Sequence, residues 1–462
     1  MRIRLEGLGI ARGGAIASIL VCAICVIYLP DVGHGFVKDD FGWVAKSRVS
    51  SWSDVRAVFG APSGFFRPAV SLSFALNRSL CGVWPRCYGL ANFGLLIACA
   101  IGVATLGRAL SLPVWGAVLA GAIWIFNWHG INMAVLWISG RTALLLVAFA
   151  TFGAAAFVKQ RAMLAAFLIF AAMLSKEEAV LVAPVLIAWS MVEARVSGAS
   201  MFSRRTLAFS AASAVLGVLY YVLRAHSGAF TPSTAPPFYR LSFTLSRFLS
   251  NAPQYLDRSA TYAAVVLVLF LVVCRPRTIS IARSAGSVLL FGVMWWIGGL
   301  GITVFLPARS SLYACLPSAG IALVAATVAS EAWRHVDGRR RQHAVVAGLA
   351  LPFLLWPIYH ARNRVLVREA ELSARTLLAL QQVVRTHAPG LAVLIVDDRS
   401  SRPSLDNSFG TGLQEAVNLM VTPRVDVWTD PPPADAALAG LKPPTRIDLT
   451  LSLTNGEFVQ QR

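Results

Sequence analysis

Apolar residues in this chain come in long unbroken blocks, not at the alternating spacing of a half-buried strand. The blocks fall at 14–30, 89–110, 113–128, 138–157, 162–175, 178–193, 206–223, 260–274, 286–305, 311–330 and 343–360. A helix needs about 20 apolar residues to cross the hydrocarbon layer, and most blocks approach that length. The pattern predicts an α-helical polytopic membrane protein with about eleven transmembrane helices. The first block, "GGAIASILVCAICVIYLP" behind the basic "MRIRLEGLGIAR", resembles a signal peptide. No small-x-small cleavage site follows it, so an uncleaved first helix is expected.

Two segments break the pattern. Residues 31–88 form a long first outer loop, in which "WVAKSRVSSWSDVRAVF" and "RPAVSLSFALNRSLCGVW" predict short amphipathic helices along the membrane surface. Beyond residue 360 the chain turns polar. "ARNRVLVREAELSARTLLALQQVVRTHAP" predicts a helix, "LAVLIVDD" a strand, and "SLDNSFGTGLQEAVNLM" a second helix behind a Ser/Asp start signal. "RVDVWTD" and "RIDLTLSLTNGEFVQQ" predict further strands, the latter turning at Asn455-Gly456. The expected organisation is a transmembrane domain over 1–360 and a small extracytoplasmic α/β domain over 361–462.

Composition agrees: 56% of residues are hydrophobic and 14% charged, against about a quarter charged in soluble domains. The net charge of +19 is placed by topology. With the N-terminus cytoplasmic, Lys and Arg crowd the inner segments 1–13, 158–161, 194–205, 275–285 and 331–342, which is the positive-inside pattern. No interleaved aromatic and basic pattern suggests nucleic acid. An odd number of spans puts the C-terminus outside, and the Ala- and Arg-rich composition suggests a bacterial inner membrane. The seven cysteines are too scattered for a disulfide scaffold. Cys81 and Cys87 share the outer loop, and pairing or two free thiols are both open.

Ionisable residues near the membrane are costly and therefore informative. Asp39 and Asp40 stand side by side in "FVKDDFGWV". Arg67, Arg141, Lys176 and Arg309 map to the same outer side, together with Glu177 and Glu178. Each cation alone reads as well as a snorkelling side chain, and a lone acid doublet as a solvated loop. Their convergence on one face suits a donor that carries phosphate, because guanidinium offers bidentate hydrogen bonds and ammonium a point charge. No His/Cys cluster with metal-ligand spacing appears. A divalent ion on the carboxylates stays open.

The ordered set "FVKDDFGWV", "FFRPAVSLSFALNRSLCGVWPRCYGLANFGL", "VLWISGRTALLLVAF", "LSKEEAVLVAPVL" and "RSSLYACLPSAGIAL" resembles the GT-C superfamily of membrane glycosyltransferases over roughly residues 10–330. The likeness is to the protein O-mannosyltransferase-like branch, which includes the transmembrane-and-tetratricopeptide-repeat mannosyltransferases and their bacterial relatives. The resemblance implies a GT-C-like fold and a polyprenyl- or dolichyl-phosphate sugar donor. It puts the catalytic acids at Asp39 and Asp40, donor-phosphate contacts at Arg67, Arg141, Lys176 and Arg309, and substrate contacts at Glu177 and Tyr313. The chain departs from the pattern at His129-Gly130, where relatives often have His-Pro, and at Ala143, where they often have Asp. The tetratricopeptide tail is absent.

The expected chemistry is inverting transfer of mannose or another hexose to a hydroxyl of a protein, lipid or glycan. The carboxylate takes the hydroxyl proton, and cations meet the leaving phosphate. A secondary transporter or a non-catalytic binder of lipid-linked sugar are the competing classes. A transporter would place its charges near the bilayer midplane on broken helices, which this sequence does not do.

Overall fold

The computed structural model describes residues 2–60, 64–276, 282–387, 390–398, 402–436, 440–454 and 457–461. Helix α1 (Arg2–Tyr28) leads into the loop expected on the outer side and named for it, the outer loop, which carries α2 (Asp39–Lys46), α3 (Trp52–Ala57) and α4 (Pro68–Cys81). The bundle follows as α5 (Pro85–Ala109), α6 (Val114–Ile125), α7 (Ile131–Leu136), α8 (Arg141–Val158), α9 (Ala162–Met173) and α10 (Val182–Ser197). It continues with α11 (Arg204–His226), α12 (Leu245–Cys274), α13 (Arg283–Leu300), α14 (Cys315–Trp333) and α15 (Gly338–Leu354). Helix α16 (Trp356–Thr386) then leads to a tail of β1 (Ala392–Asp397), α17 (Leu405–Phe409), α18 (Leu413–Met420), β2 (Asp426–Asp430), β3 (Leu449–Thr454) and β4 (Glu457–Gln461).

Among the described residues, 8 helical stretches are long and apolar enough to cross a membrane, and Ala15–Tyr28, Val114–Ile125 and Ala162–Met173 are shorter apolar helices. These match the apolar blocks of the sequence. The polytopic helical architecture with a small C-terminal sheet is the one expected. Two boundaries differ. Helix α12 starts at Leu245 and not near 260, because its first half, "LSRFLSNAPQYLDRSATY", is too polar to register as an apolar block. The block at 343–360 is divided at Leu355 between α15 and α16, with Pro357 in the first turn of the latter, where its missing N–H costs nothing. Helices α13 and α14 cross at Gly292 and Gly320, where an added Cβ would lie 2.6 and 2.3 Å from the opposing carbonyl oxygen. Small residues at such a crossing let backbones meet.

The tail sheet runs in the order β2-β1-β3-β4, with β1 parallel to β2 and β3, and β4 antiparallel to β3. The single helix expected over 404–420 is two. Ser404 and Asn407 form the capping box that starts α17, and Gly410 at φ 51° ends it, a conformation that suits glycine. The expected turn at Asn455-Gly456 lies outside the described residues. Cys81 and Cys87, left open by the sequence, are joined as a disulfide with Cα atoms 6.3 Å apart.

The tail does not stand apart. Helix α16 runs straight through residue 360, where the sequence divides membrane part from tail. Phe36, Phe41, Val44, Val70 and Phe74 of the outer loop share one apolar cluster with Leu372 and Leu380 of α16, Val393 and Ile395 of β1, and Phe409, Leu413 and Val417 behind them. Phe41 stacks on Phe409 with ring centroids 5.5 Å apart. Phe41→Ala and Phe409→Ala should each cost about 3–5 kcal/mol. Because the rings touch, the double variant should cost less than the sum, as thermal unfolding in detergent would show.

Candidate active site

Helix α2 explains the acid doublet. Successive helical residues are about 100° apart, so neighbours in sequence look in different directions. Asp39, Gly42, Trp43 and Lys46, at i, i+3, i+4 and i+7, line a cavity. Asp40, Phe41 and Val44 form the buried face. Sequence adjacency put two acids together; helical geometry separates them.

Asp40 is fully buried and occupied. Its Oδ1 accepts from the Ser139 backbone N–H at 2.7 Å and from the Ser139 hydroxyl, and its Oδ2 accepts from the Val37 N–H at 3.0 Å. Burial pushes its carboxyl up to about 7, against those donors and with a small push from Asp39. Asp40, expected as a catalytic acid, fastens α2 to the turn before α8 and is not on the cavity wall.

Asp39 is open to the cavity, although protein surrounds it on several sides. That enclosure holds its carboxyl above the ordinary value, while Arg67, Lys38 and Lys46 pull it down. Water in the cavity screens both effects.

The cavity measures about 480 Å³ and draws its walls from distant parts of the chain. Arg67 stands at the N-cap of α4. Its Nη2 and Nε donate to Glu177 at 2.8 and 3.2 Å, and its guanidinium lies 4.3 Å from the Phe65 ring centroid. Lys176 also lines the cavity, with its Nζ 2.8 Å from Glu178 and 4.6 Å from the Tyr313 ring centroid. Tyr313 completes that side. Four expected site residues, Asp39, Arg67, Lys176 and Tyr313, therefore line one cavity.

The other expected residues are placed differently. Arg141 is 1% exposed. Its guanidinium donates to Asn92 at 2.8 Å, Asn77 at 2.6 Å, the Ser73 carbonyl at 3.2 Å and the Tyr88 carbonyl at 3.0 Å, and it lies 4.5 Å over Phe74. Expected as a phosphate contact, it cross-links α4, α5 and α8, and nearly all its five donors are spent on protein. Arg309 binds Asn251 at 2.9 Å and Ser250 at 2.6 Å on α12. Its neighbour Ser310 reaches the cavity and Arg309 does not. Glu177 is off the wall as well, held between Arg67 and Arg224, whose Nη1 is 3.7 Å away. Expected as a substrate contact, it orients Arg67 from behind the wall.

Sequence reasoning missed Lys46, Trp43, Tyr239, Glu415 and Asp435, all of which line the cavity. Helical spacing from Asp39 pointed to Trp43 and Lys46. Nothing local marked Glu415 and Asp435, which arrive from the tail. Gly130 accounts for one departure noted in the sequence. Its φ is −119° and a Cβ there would sit 2.6 Å from the Ser311 carbonyl oxygen, so proline, fixed near −65°, does not fit. Among the described residues no three His, Cys, Asp or Glu side chains gather as a metal centre would require.

No family model and no curated protein matches the chain. Among solved structures it is similar to ArnT from Cupriavidus metallidurans in the apo state, at 14% identity over 82% of this chain and 73% of that one, with a TM-score of 0.46. It is also similar to ArnT from the same organism bound to undecaprenyl phosphate, at 12% identity over 95% and 93% of the two chains, with a TM-score of 0.47. A likeness of that depth fixes neither ligand nor activity.

Asp40→Asn presents an amide N–H₂ to one of the donors that the carboxylate now accepts, and should cost about 1–3 kcal/mol. The raised Asp40 carboxyl adds stability that is complete below about pH 3.8 and is lost as pH rises through about 7. Unfolding followed from pH 4 to 8 should therefore show a decline in wild type that flattens in Asp40→Asn. Asp39→Asn should leave the Asp40 part of that decline in place.

Proposed function

We propose that this chain is an inverting membrane glycosyltransferase of GT-C type, which moves a hexose from a polyprenyl-phosphate donor to a hydroxyl acceptor. The observation that carries the reading is the unpaired Asp39 carboxylate, open to a cavity that also holds Arg67, Lys176 and Lys46. Asp39 takes the proton of the acceptor hydroxyl as its oxygen attacks the anomeric carbon. The lipid phosphate leaves from the opposite face of the sugar and keeps the bonding electrons. Its charge is met by the cations. Lys46 is the more available of them, because Arg67 and Lys176 already face Glu177 and Glu178.

Two independent features favour an outward-facing cavity. The Cys81–Cys87 disulfide lies in the outer loop, and disulfides persist in oxidising compartments. The basic segments of the sequence belong to the opposite ends of the helices. In this reading a bacterial inner membrane exposes the cavity and the residues after 361 to the periplasm.

The test is transfer of radiolabelled sugar from a polyprenyl-phosphate donor in proteoliposomes. Asp39→Asn should lower transfer about 10²–10⁴-fold with insertion unchanged, and full activity in that variant would sink the proposal. Because the base must be ionised, transfer should rise with pH along an acid limb. The midpoint of that limb should lie above the ordinary 3.8 of an aspartate. Lys46→Met removes a cation that favours ionisation and should move the limb further up. Arg141→Gln should instead reduce folded yield, since it leaves Asn77, Asn92 and two carbonyls without their donor.

A further inference from the structure

The segment that precedes Asp39 is gripped along one edge by α16. The Phe36 carbonyl accepts from the Ser373 hydroxyl at 2.7 Å. A Cβ on Gly35 would lie 3.3 Å from Ala370. The Lys38 ammonium lies 3.1 Å from Glu369. Glu369, Ala370 and Ser373 are neighbours on one helical face, and Glu369 is only 6% exposed. From the tail, the Ser408 carbonyl accepts the Lys38 backbone N–H at 2.8 Å. Lys38 holds a φ of 49°, which residues with a side chain rarely adopt. Such a conformation persists only where its surroundings fix it.

Lys38 also lines the cavity and is next to Asp39 in sequence. An ammonium so placed is a ready partner for the Asp39 carboxylate. We propose that Glu369 is a positioning residue for Asp39: it holds the Lys38 ammonium on the α16 side, which leaves the Asp39 carboxylate unpaired in the cavity. The proposal rests on the reading of Asp39 as the base. It assigns a role in the site to α16, the helix that joins the membrane bundle to the tail. The cavity that Asp39 lines also holds Lys46 on its own helix, Arg67 at the start of α4, Lys176, Tyr239, Tyr313, and Glu415 and Asp435 of the tail. None of these is altered by a change at Glu369, so Lys38 is the group through which such a change reaches Asp39.

The test uses the full chain in detergent and follows the pH dependence of Asp39 modification by dicyclohexylcarbodiimide, which reacts with the protonated carboxyl, read by mass spectrometry. Glu369→Gln frees Lys38 to pair with Asp39, so the midpoint of labelling should fall by about one pH unit. Glu369→Asp should stay near wild type. Lys38→Met/Glu369→Gln should return to the wild-type midpoint or above it, because the competing ammonium is gone. Loss of structure alone would also lower the midpoint, but it would do so in the double variant too. An unchanged midpoint in Glu369→Gln, or a double variant as low as the single, overturns the proposal. If Glu369→Gln does not fold, Lys38→Met carries the test. Its midpoint should rise, and adding Glu369→Gln to it should leave that midpoint unchanged; a further shift overturns the proposal. In proteoliposomes, Glu369→Gln should lower kcat about tenfold with the KM for donor unchanged. The labelling arm does not depend on transfer, so activity in Asp39→Asn would overturn the base reading alone and leave the Glu369–Lys38 result to stand or fall by its own midpoint.

Discussion

The geometry of the cavity depends on one buried carboxylate. Asp40 accepts two backbone N–H groups and a hydroxyl from the segments on either side of it, and it is fully buried. Three donors around one acidic group fix both the position and the rotation of α2. Once that rotation is set, Asp39 must point about 100° away, into the open space. A short helix of 8 residues has little stability of its own, so without this anchor nothing internal would choose its orientation.

A second constraint is the apolar cluster that joins outer loop and tail. Its burial brings Thr411, Gly412, Glu415 and Asp435 to the cavity wall. The cations of the cavity come from the outer loop and the bundle, and two of its carboxylates come from the tail. The third, Asp39, comes from the loop beside Lys38 and Lys46, so acidic groups reach the cavity from both ends of the chain.

The apolar blocks made the spans legible because membrane helices must satisfy their backbone internally and face lipid. The amphipathic character of the outer loop and the strand pattern of the tail were legible for similar local reasons. Asp39 and Asp40 could be found together but not told apart until α2 had a definite extent. Arg141 shows the opposite failure. A cation at the end of an apolar span looks the same in sequence whether it meets a ligand or the protein. Its partners Ser73, Asn77, Tyr88 and Asn92 lie on two other helices and show no periodic relation to it. Lys176 and Arg67 kept their place at the cavity, yet each with an acidic neighbour already in hand. Glu415 and Asp435 carried no local signal, since the fold of the tail alone decides where they point.

The cluster shared by loop and tail has a consequence for how the chain is made. Phe36, Phe41 and Phe74 leave the ribosome early, whereas Leu372, Val393 and Phe409, which cover them, follow only after the whole helical bundle. Through most of translation the bundle is threading into the bilayer while these rings wait uncovered beside it. Exposed apolar surface of this kind invites misassociation, so early arrival of the tail limits the time in which the loop can go astray. A chain that stops short of its last hundred residues holds the acid and the cations of the cavity but no closed wall.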